Sequence, residues 1–228
     1  MDLLSFARGV ALEVATTIFV LGIVWRLVGI VLLRARRDHS AARRHDAWKG
    51  LMMTATRSWP KKEFVGASGF MEAISYTWHL ALFATILLYA PHIVLLQNVV
   101  KAFLPFPIVD RILSYWPTLP AGLIFFLASI SAGLLIFALV HRLINPVKRL
   151  ISNFDDYISW FLTIAPLITG MAAYMHVGGP YQTVLAVHIL SVEALMIWFP
   201  FGKLMHLFTM FAVRGVTGVL FARKGAAT

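Results

Sequence analysis

Two histidines bracket the stretch "HILSVEALMIWFPFGKLMH", which runs from His188 to His206. They are 18 residues apart, which is about five whole turns of an α-helix. On one continuous helix both imidazoles would face the same way, with a rise of about 27 Å between them. That separation approaches the thickness of a membrane core and suits two cofactors stacked across it. A single metal ion would instead need ligands that converge at one depth.

A second apolar stretch carries a matching pair, His79 and His92. If it crosses the membrane outward and the last stretch returns, depth pairs His79 with His206 and His92 with His188. Two neutral imidazoles on one iron are typical of a low-spin b-type haem that transfers electrons. The interior of a helical bundle is a suitable place for such a cofactor. These positions predict two bis-histidine haem sites.

The spacing of the second pair requires a distortion of its helix. His79 and His92 are 13 residues apart, which is about 220° of rotation on a straight helix. Pro91 precedes His92 and predicts a kink that re-aims it. The alternative fourth ligand is His176, in the turn "HVGGPYQ" on the same side of the membrane. A single intramembrane histidine is often only a packing residue between helices, whereas four that pair by depth favour ligands.

The composition places these histidines in a membrane protein. Hydrophobic residues make up 60% of the chain, against about half in soluble domains. The 20 Lys and Arg outnumber the 10 Asp and Glu. The basic residues cluster in loops between apolar spans. Membrane topology and contact with lipid headgroups therefore explain the positive charge better than binding to nucleic acid does. The chain has no cysteine, which excludes thiolate metal sites, iron–sulfur ligation and covalent c-type haem.

Five apolar spans of membrane-crossing length predict an all-α integral membrane protein with a single membrane domain. The spans cover about residues 9–33, 73–99, 121–140, 157–175 and 183–212. The long loop at 34–72, the loop after the third span and the tail are basic, while the other side has few cations. Positive loops stay in the cytoplasm, so the N-terminus is expected outside and the C-terminus inside. The long loop is predicted to contact lipid headgroups or a cytoplasmic partner.

Three further ionisable residues lie in or near the spans. Arg26 is expected toward the cytoplasmic end of the first span, and Lys203 one turn before His206. Each could extend to the membrane surface or pair with a haem propionate. Glu193 lies in the middle of the last span, where a carboxyl group is costly and marks a functional candidate. It is a candidate for proton transfer linked to quinone chemistry, with a hydrogen bond to another helix as the alternative.

Three segments resemble a known family. The run "FPFGKLMH", with His188 upstream, resembles the last span of the gamma subunit of respiratory nitrate reductase. It equally resembles the cytochrome b subunits of heterodisulfide-reductase-like menaquinol complexes of the DsrM and HmcE types. "WHLALFATILLYAPHIVLL" resembles the family's second span, and "HRLINPVKRLISNFDDYISWFLTIAPLITG" resembles its entry to the fourth. The resemblance covers about residues 79–212.

The resemblance implies a five-helix domain that holds two b haems. His188 and His206 match the motif directly, and His79 matches the first ligand of the second helix. His92 is carried over at a longer spacing than in the nitrate reductase type, which is closer to the heterodisulfide-reductase-like branch. The family sits in the prokaryotic inner membrane. It exchanges electrons with menaquinone or ubiquinone near the outer haem and with an iron–sulfur subunit near the inner one.

Two other functions remain open from the residues alone. Intramembrane His and Glu also line proton paths, so a proton or ion transporter is one alternative. A haem-free membrane anchor that recruits a soluble complex is the other.

Overall fold

The structure is a computed structural model that describes residues 2–33, 41, 43, 48, 50, 52 and 62–225. Within these residues every regular element is helical. The bounds are α1 (Leu3–Leu32), α2 (Lys62–Leu87), α3 (Ala90–Phe103), α4 (Pro107–Leu113), α5 (Ala121–Ile144), α6 (Pro146–Leu150), α7 (Phe154–Met175), α8 (Tyr181–Trp198) and α9 (His206–Arg223). Most of the basic loop predicted over 34–72 lies outside the described residues, and its last part forms the start of α2.

Six helices in the described part of the chain are long and apolar enough to cross a membrane. They are Leu3–Leu32, Lys62–Leu87, Ala121–Ile144, Phe154–Met175, Tyr181–Trp198 and Lys203–Arg223. Their outward surfaces expose large apolar side chains, such as Leu80 at 68%, Phe126 at 59% and Phe161 at 64%. Water would disfavour surfaces of this kind, whereas lipid tails would solvate them. The chain is therefore an all-α, multi-pass membrane protein.

Two of the five predicted spans are interrupted. The stretch 73–99 contains the end of α2 and most of α3, separated at residues 88–89. The stretch 183–212 contains most of α8 and the start of α9, separated at residues 199–202 before a short 3₁₀ turn. This second interruption is why the structure has six candidate spans where five were predicted. The other predicted spans each fall within one helix, or within one residue of its end.

The chain divides into two compact units, and each is described by itself. One unit contains Met71–Ser152 and Trp160–Ser191. Its core lies along one face of α5, where Ala128, Ala132 and Leu135 are buried together with Leu167 of α7. Residues spaced by three and four lie on the same side of a helix. Small residues there let neighbouring helices approach closely, as is usual in membranes.

The other unit contains Met1–Phe70, Asn153–Ser159 and Val192–Thr228. Its packing centres on the interruption after α8. The ring of Phe19 lies 5.5 Å from that of Phe199 and 6.4 Å from that of Phe208, both edge-on. A Cβ at Gly22 would lie 2.6 Å from Cγ of Pro200. Only glycine permits this approach, so α1 is fitted closely to the interruption.

Candidate functional site

The rings of His92 and His188 lie close together in the unit that contains α5. Their ring centroids are 6.1 Å apart, and the ring planes differ by 24°. An imidazole nitrogen lies about 2.0–2.1 Å from a bound transition metal, so two rings on opposite sides of one ion have centroids about 6 Å apart. The observed centroid separation is close to what two imidazoles would have if they held one iron from opposite sides.

The interruption between α2 and α3 is what brings His92 to this position. α3 begins with Pro91 in its first turn, and Tyr89 before it is extended, with ψ of 123°. The chain therefore does not continue as one straight helix, and the rotation of about 220° expected between His79 and His92 does not apply. The kink predicted from Pro91 is present as a complete break at residues 88–89.

The end of α2 at this break is closed by groups from outside the helix. Nδ1 of His92 lies 3.0 Å from the carbonyl oxygen of Thr85. Nε1 of Trp116 donates to the carbonyl of Leu87 at 2.8 Å. The last carbonyls of a helix have no partner within it and need such donors. His92 is therefore held by the break that re-aims it.

His188 is held by α7. Its Nδ1 lies 3.3 Å from Oγ1 of Thr169, and that hydroxyl donates its hydrogen to the carbonyl of Ala165 at 2.7 Å. Because the hydroxyl hydrogen is used there, Oγ1 accepts a bond from the ring. A Cβ at Gly170 would lie only 2.9 Å from Cε1 of His188. The absent side chain thus makes room for the imidazole.

The other two candidate histidines show the same pattern at Nδ1. Nδ1 of His79 lies 2.7 Å from the carbonyl oxygen of Ser75, and Nδ1 of His206 lies 2.8 Å from that of Lys203. A ring that donates from Nδ1 to an oxygen is fixed in the tautomer whose lone pair is on Nε2. Metal-binding histidines are usually oriented in this way by their second nitrogen. At His79, His92 and His206 the carbonyl oxygen beside Nδ1 therefore favours the tautomer that leaves Nε2 free to bind a metal.

The remaining described histidines differ. Nδ1 of His141 lies 3.3 Å from Nζ of Lys148. His176 has a positive φ of 55° in its turn, and its ring packs against Tyr181 at 4.7 Å. The structure therefore places His92, rather than His176, opposite His188.

His79 and His206 belong to different units, and each is described in its own surroundings. His79 stacks on Trp78, with ring centroids 3.5 Å apart. His206 is the first residue of α9, directly after the 3₁₀ turn. Their pairing by depth remains a prediction.

Two imidazoles are fewer protein ligands than a bare metal ion usually takes. Among the residues that the structure describes, no three His, Cys, Asp or Glu converge on one point. A structural or catalytic zinc would take three or four protein ligands. A haem iron takes four ligands from its porphyrin, so two opposed imidazoles complete it.

The three other predicted polar residues have distinct environments. Arg26 is exposed on α1. Nζ of Lys203 lies 2.5 Å from Oδ2 of Asp156 and 3.1 Å from Oδ1 of Asn153. Glu193 is 3% exposed, and its Oε1 has no hydrogen-bond partner among the described residues. Lys203 therefore has a carboxylate partner within the chain, whereas Glu193 has a buried oxygen with none.

The sequence analysis missed Asp155. Its carboxylate accepts from the backbone N–H of Lys203, with distances of 3.3 and 3.0 Å to its two oxygens. The available signal was local: Asn153 and two acids at 155–156 mark the beginning of a helix. The partner lies 48 residues away, beyond the reach of any such pattern.

The fold and these histidines define a class: a multi-pass helical membrane protein with two imidazoles close together among its helices. The chain is similar to a protein of Nitratidesulfovibrio vulgaris (strain Hildenborough), with 28% identity over 240 residues. The alignment covers 98% of this chain and 96% of that relative. No family model matches the chain, and no solved structure matches it.

Proposed function

We propose that this chain is a di-haem b membrane subunit of a respiratory redox complex in the prokaryotic inner membrane. In this proposal it moves electrons between a quinone pool near the outer face and an iron–sulfur partner in the cytoplasm. The observation that carries the proposal is the His92–His188 pair, with ring centroids 6.1 Å apart. Gly170 supports it further, because an added Cβ there would lie 2.9 Å from Cε1 of His188.

The residues have separate roles in this proposal. His92 and His188 would hold an outer haem, and His79 and His206 would hold an inner one. Each haem supplies one-electron transfer when bound. Because each haem would take two protein imidazoles, neither would leave a position open for a gas or a substrate. The Thr85 carbonyl orients the ring of His92.

Contacts within one unit support five membrane crossings with the C-terminus in the cytoplasm. Lys203 lies against Asp156, which follows the basic loop after α5. At the far end of α9, the carbonyl of Arg223 accepts from the backbone N–H of Arg43, in the long basic loop. Basic loops stay in the cytoplasm. The helix Lys203–Arg223 then begins and ends on that side, so it does not add a sixth crossing.

Glu193 is the candidate proton acceptor for quinol oxidation, which releases protons as well as electrons. Its carboxyl is buried, and Oε1 has no hydrogen-bond partner among the described residues. Buried carboxyl groups within a membrane commonly belong to proton paths. Arg26 and Lys203 are the candidate propionate contacts, Lys203 by sharing its ammonium with Asp156.

The proposed iron–sulfur partner is argued from the cysteine content of the chain. It has no cysteine and cannot ligate an iron–sulfur cluster. The cytoplasmic subunit must therefore carry the next redox centre, and menaquinone or ubiquinone supplies the other end. The quinone is proposed to exchange near the outer haem, at the His92–His188 end.

Glu193 also favours a second candidate function, a proton or ion transporter. A buried carboxyl with an unpartnered oxygen fits a transport path as well as it fits quinol chemistry. The colour of the purified protein distinguishes the two functions, because only the di-haem subunit requires a reducible b-type haem spectrum. A colourless, folded protein would favour the transporter or a haem-free anchor.

The experiment is stopped-flow reduction of the purified complex by a soluble menaquinol analogue. His188→Ala should remove the outer haem and abolish quinol-driven reduction of the inner one, while the reduced cytoplasmic partner still reduces it. His176→Ala is the matched control, since its imidazole is on the same side but packs against Tyr181. Normal quinol-driven reduction of the inner haem in His188→Ala would place the quinone site elsewhere.

A further inference from the structure

An open groove lies at the end of α5, beside the turn into α6, and belongs entirely to the unit that contains both helices. Its volume is about 380 Å³, which is within the range of about 300–1,000 Å³ that is usual for sites of small organic ligands. The residues that line it are mostly apolar: Phe137, Val140, His141, Ile144, Asn145 and Pro146. The groove therefore has the size and the character of a site for a ligand with a large apolar part.

The apolar side of the groove follows one face of about the last two turns of α5. Phe137, Val140 and Ile144 are spaced by three and four residues, so they lie on the same side of the helix. Their side chains are exposed by 42%, 45% and 74%. Because α5 is a candidate membrane span that ends at Ile144, these turns are expected near one membrane surface. Lipid tails would therefore contact this face.

The side chain of Lys148 is held against the same groove from α6. Its Nζ lies 3.3 Å from Nδ1 of His141. The backbone N–H of Lys148 donates to Oδ1 of Asn145 at 3.0 Å, and its carbonyl accepts from Oγ of Ser152 at 2.6 Å. The backbone of Lys148 is thus fixed at both its N–H and its carbonyl, which keeps the ammonium beside the imidazole.

The contact between Lys148 and His141 leaves several hydrogen-bond donors unused. An ammonium has three N–H groups and no acceptor, so Lys148 donates one to Nδ1 of a neutral imidazole, whose own hydrogen is then on Nε2. Within the part of the chain that the structure describes, no carboxylate lies within ion-pair distance of Lys148. The remaining N–H groups of the two side chains can therefore donate to an anion such as a phosphate.

The segment around these donors has only positive charge. Residues 141–152 include Arg142, Lys148 and Arg149 and contain no Asp or Glu. Nη1 of Arg142 donates to Oγ of Ser152 at 2.8 Å, so a second cation is tied to the residues after α6. Basic residues beside a membrane surface attract anionic lipid headgroups. An anionic ligand would therefore complement the charge of this segment.

We propose that this groove binds one anionic phospholipid, with its phosphate bonded to Lys148 and His141 and an acyl chain along Phe137 and Val140. A free anion would use the donors but would leave the apolar face uncovered. A zwitterionic lipid would bring its own cation to a segment that already carries three. A phospholipid with a net negative charge complements both parts of the groove, whether or not the chain holds haem.

The experiment is a titration of the purified full-length chain in detergent with phosphatidylglycerol and with phosphatidylcholine of the same acyl chains, followed by native mass spectrometry. The wild-type chain should bind one phosphatidylglycerol more tightly than phosphatidylcholine. Lys148→Gln should weaken the binding of phosphatidylglycerol about fivefold, as expected for one cation beside a membrane surface. The same variant should leave phosphatidylcholine unaffected. Equal affinity of the wild-type chain for the two lipids would overturn the proposal.

Two matched variants separate a defined site from general attraction to positive charge. Arg149→Gln removes the same charge from an exposed side chain one residue further along. Lys101→Gln removes a cation that is paired with Asp110 in the same unit. A phosphate held at the groove should make the loss larger in Lys148→Gln than in Arg149→Gln, with no loss in Lys101→Gln. Equal losses in Lys148→Gln and Arg149→Gln would contradict the proposal.

Two further variants keep the result decisive if Lys148→Gln does not accumulate. His141→Phe keeps a ring but removes a donor and the contact that positions Lys148, so it should weaken phosphatidylglycerol binding alone. Val140→Trp fills the apolar side of the groove and should weaken the binding of both lipids. Unchanged phosphatidylglycerol binding in either variant would rule the proposal out. So would displacement of the lipid by inorganic phosphate beyond that caused by chloride at equal ionic strength.

Discussion

Both helix interruptions lie shortly before a candidate histidine, but the contacts that hold them differ. Before His92, the break at residues 88–89 is closed by the imidazole itself, which lies 3.0 Å from the carbonyl oxygen of Thr85, seven residues earlier at the end of α2. Before His206, the break at residues 199–202 is closed by Asp155, a residue 48 positions distant from Lys203. One of these two proposed haem ligands is positioned by a contact nearby in sequence, and the other follows a break held by a contact from a distant helix. The comparison teaches that a helix interrupted at a proline can be held either by a contact nearby in sequence or by a contact from a distant helix.

The largest expected effect separates His92 from His176. His92→Ala should remove one haem, because the site facing His188 loses one of its two protein ligands. His176→Ala should retain both haems, since that ring packs on Tyr181. The haem content per chain of the two variants, measured by absorbance, checks this prediction. Loss of a haem in His176→Ala, with retention in His92→Ala, would reverse the assignment of the outer ligand.

An equally direct test concerns His206, which follows the break at residues 199–202. His206→Ala should remove the inner haem and stop electron transfer to the cytoplasmic partner, while quinol still reduces the outer haem. Redox titration of the variant should show a single transition at the potential of the outer haem. Two unchanged transitions would show that His206 is not a ligand.

A smaller effect is expected from filling the space beside His188. Gly170→Ala places a Cβ 2.9 Å from Cε1 of the imidazole, and overpacking of this kind costs about 1–3 kcal/mol. The outer haem should shift in potential or be partly lost, as measured by redox titration. Gly133→Ala on α5 is the control, because its added Cβ would meet nothing within 4 Å. Equal behaviour of the two variants would contradict a role for Gly170.

The smallest effect is expected from removing a hydrogen bond at the break at residues 88–89. Trp116→Phe removes the donor to the carbonyl of Leu87, and one lost hydrogen bond of this type costs about 1 kcal/mol. Thermal unfolding should begin a few degrees earlier, and both haems should remain bound. Trp25→Phe is the control, since that side chain is 62% exposed. A loss of the outer haem in Trp116→Phe would mean that the break depends on this one contact.

Helix positions were largely predictable, because apolar length is a strong signal. The span predicted at 121–140 lies within α5, and that at 157–175 lies within α7. The break after α8 was missed because the residues around Pro200 are apolar on both sides, and hydropathy averages across an interruption. Pro200 and Gly202 were the local signals for it.

The site was predictable where its evidence was local. The mismatch of about 220° between His79 and His92 correctly required a distortion near Pro91. The contacts of Thr169 and Asp155 join helices that are distant in sequence, and periodicity carries no information on such contacts. They emerge only when the helices pack.

The haem content of the purified chain tests the proposal most directly. A pyridine haemochrome assay, normalised to protein by amino-acid analysis, should give about two b haems per wild-type chain, from two axial histidine pairs. His92→Ala, His188→Ala, His79→Ala and His206→Ala should each give about one. A wild-type ratio near one would leave only the His92–His188 pair as a haem site. A ratio near zero in a folded protein would contradict the di-haem proposal outright.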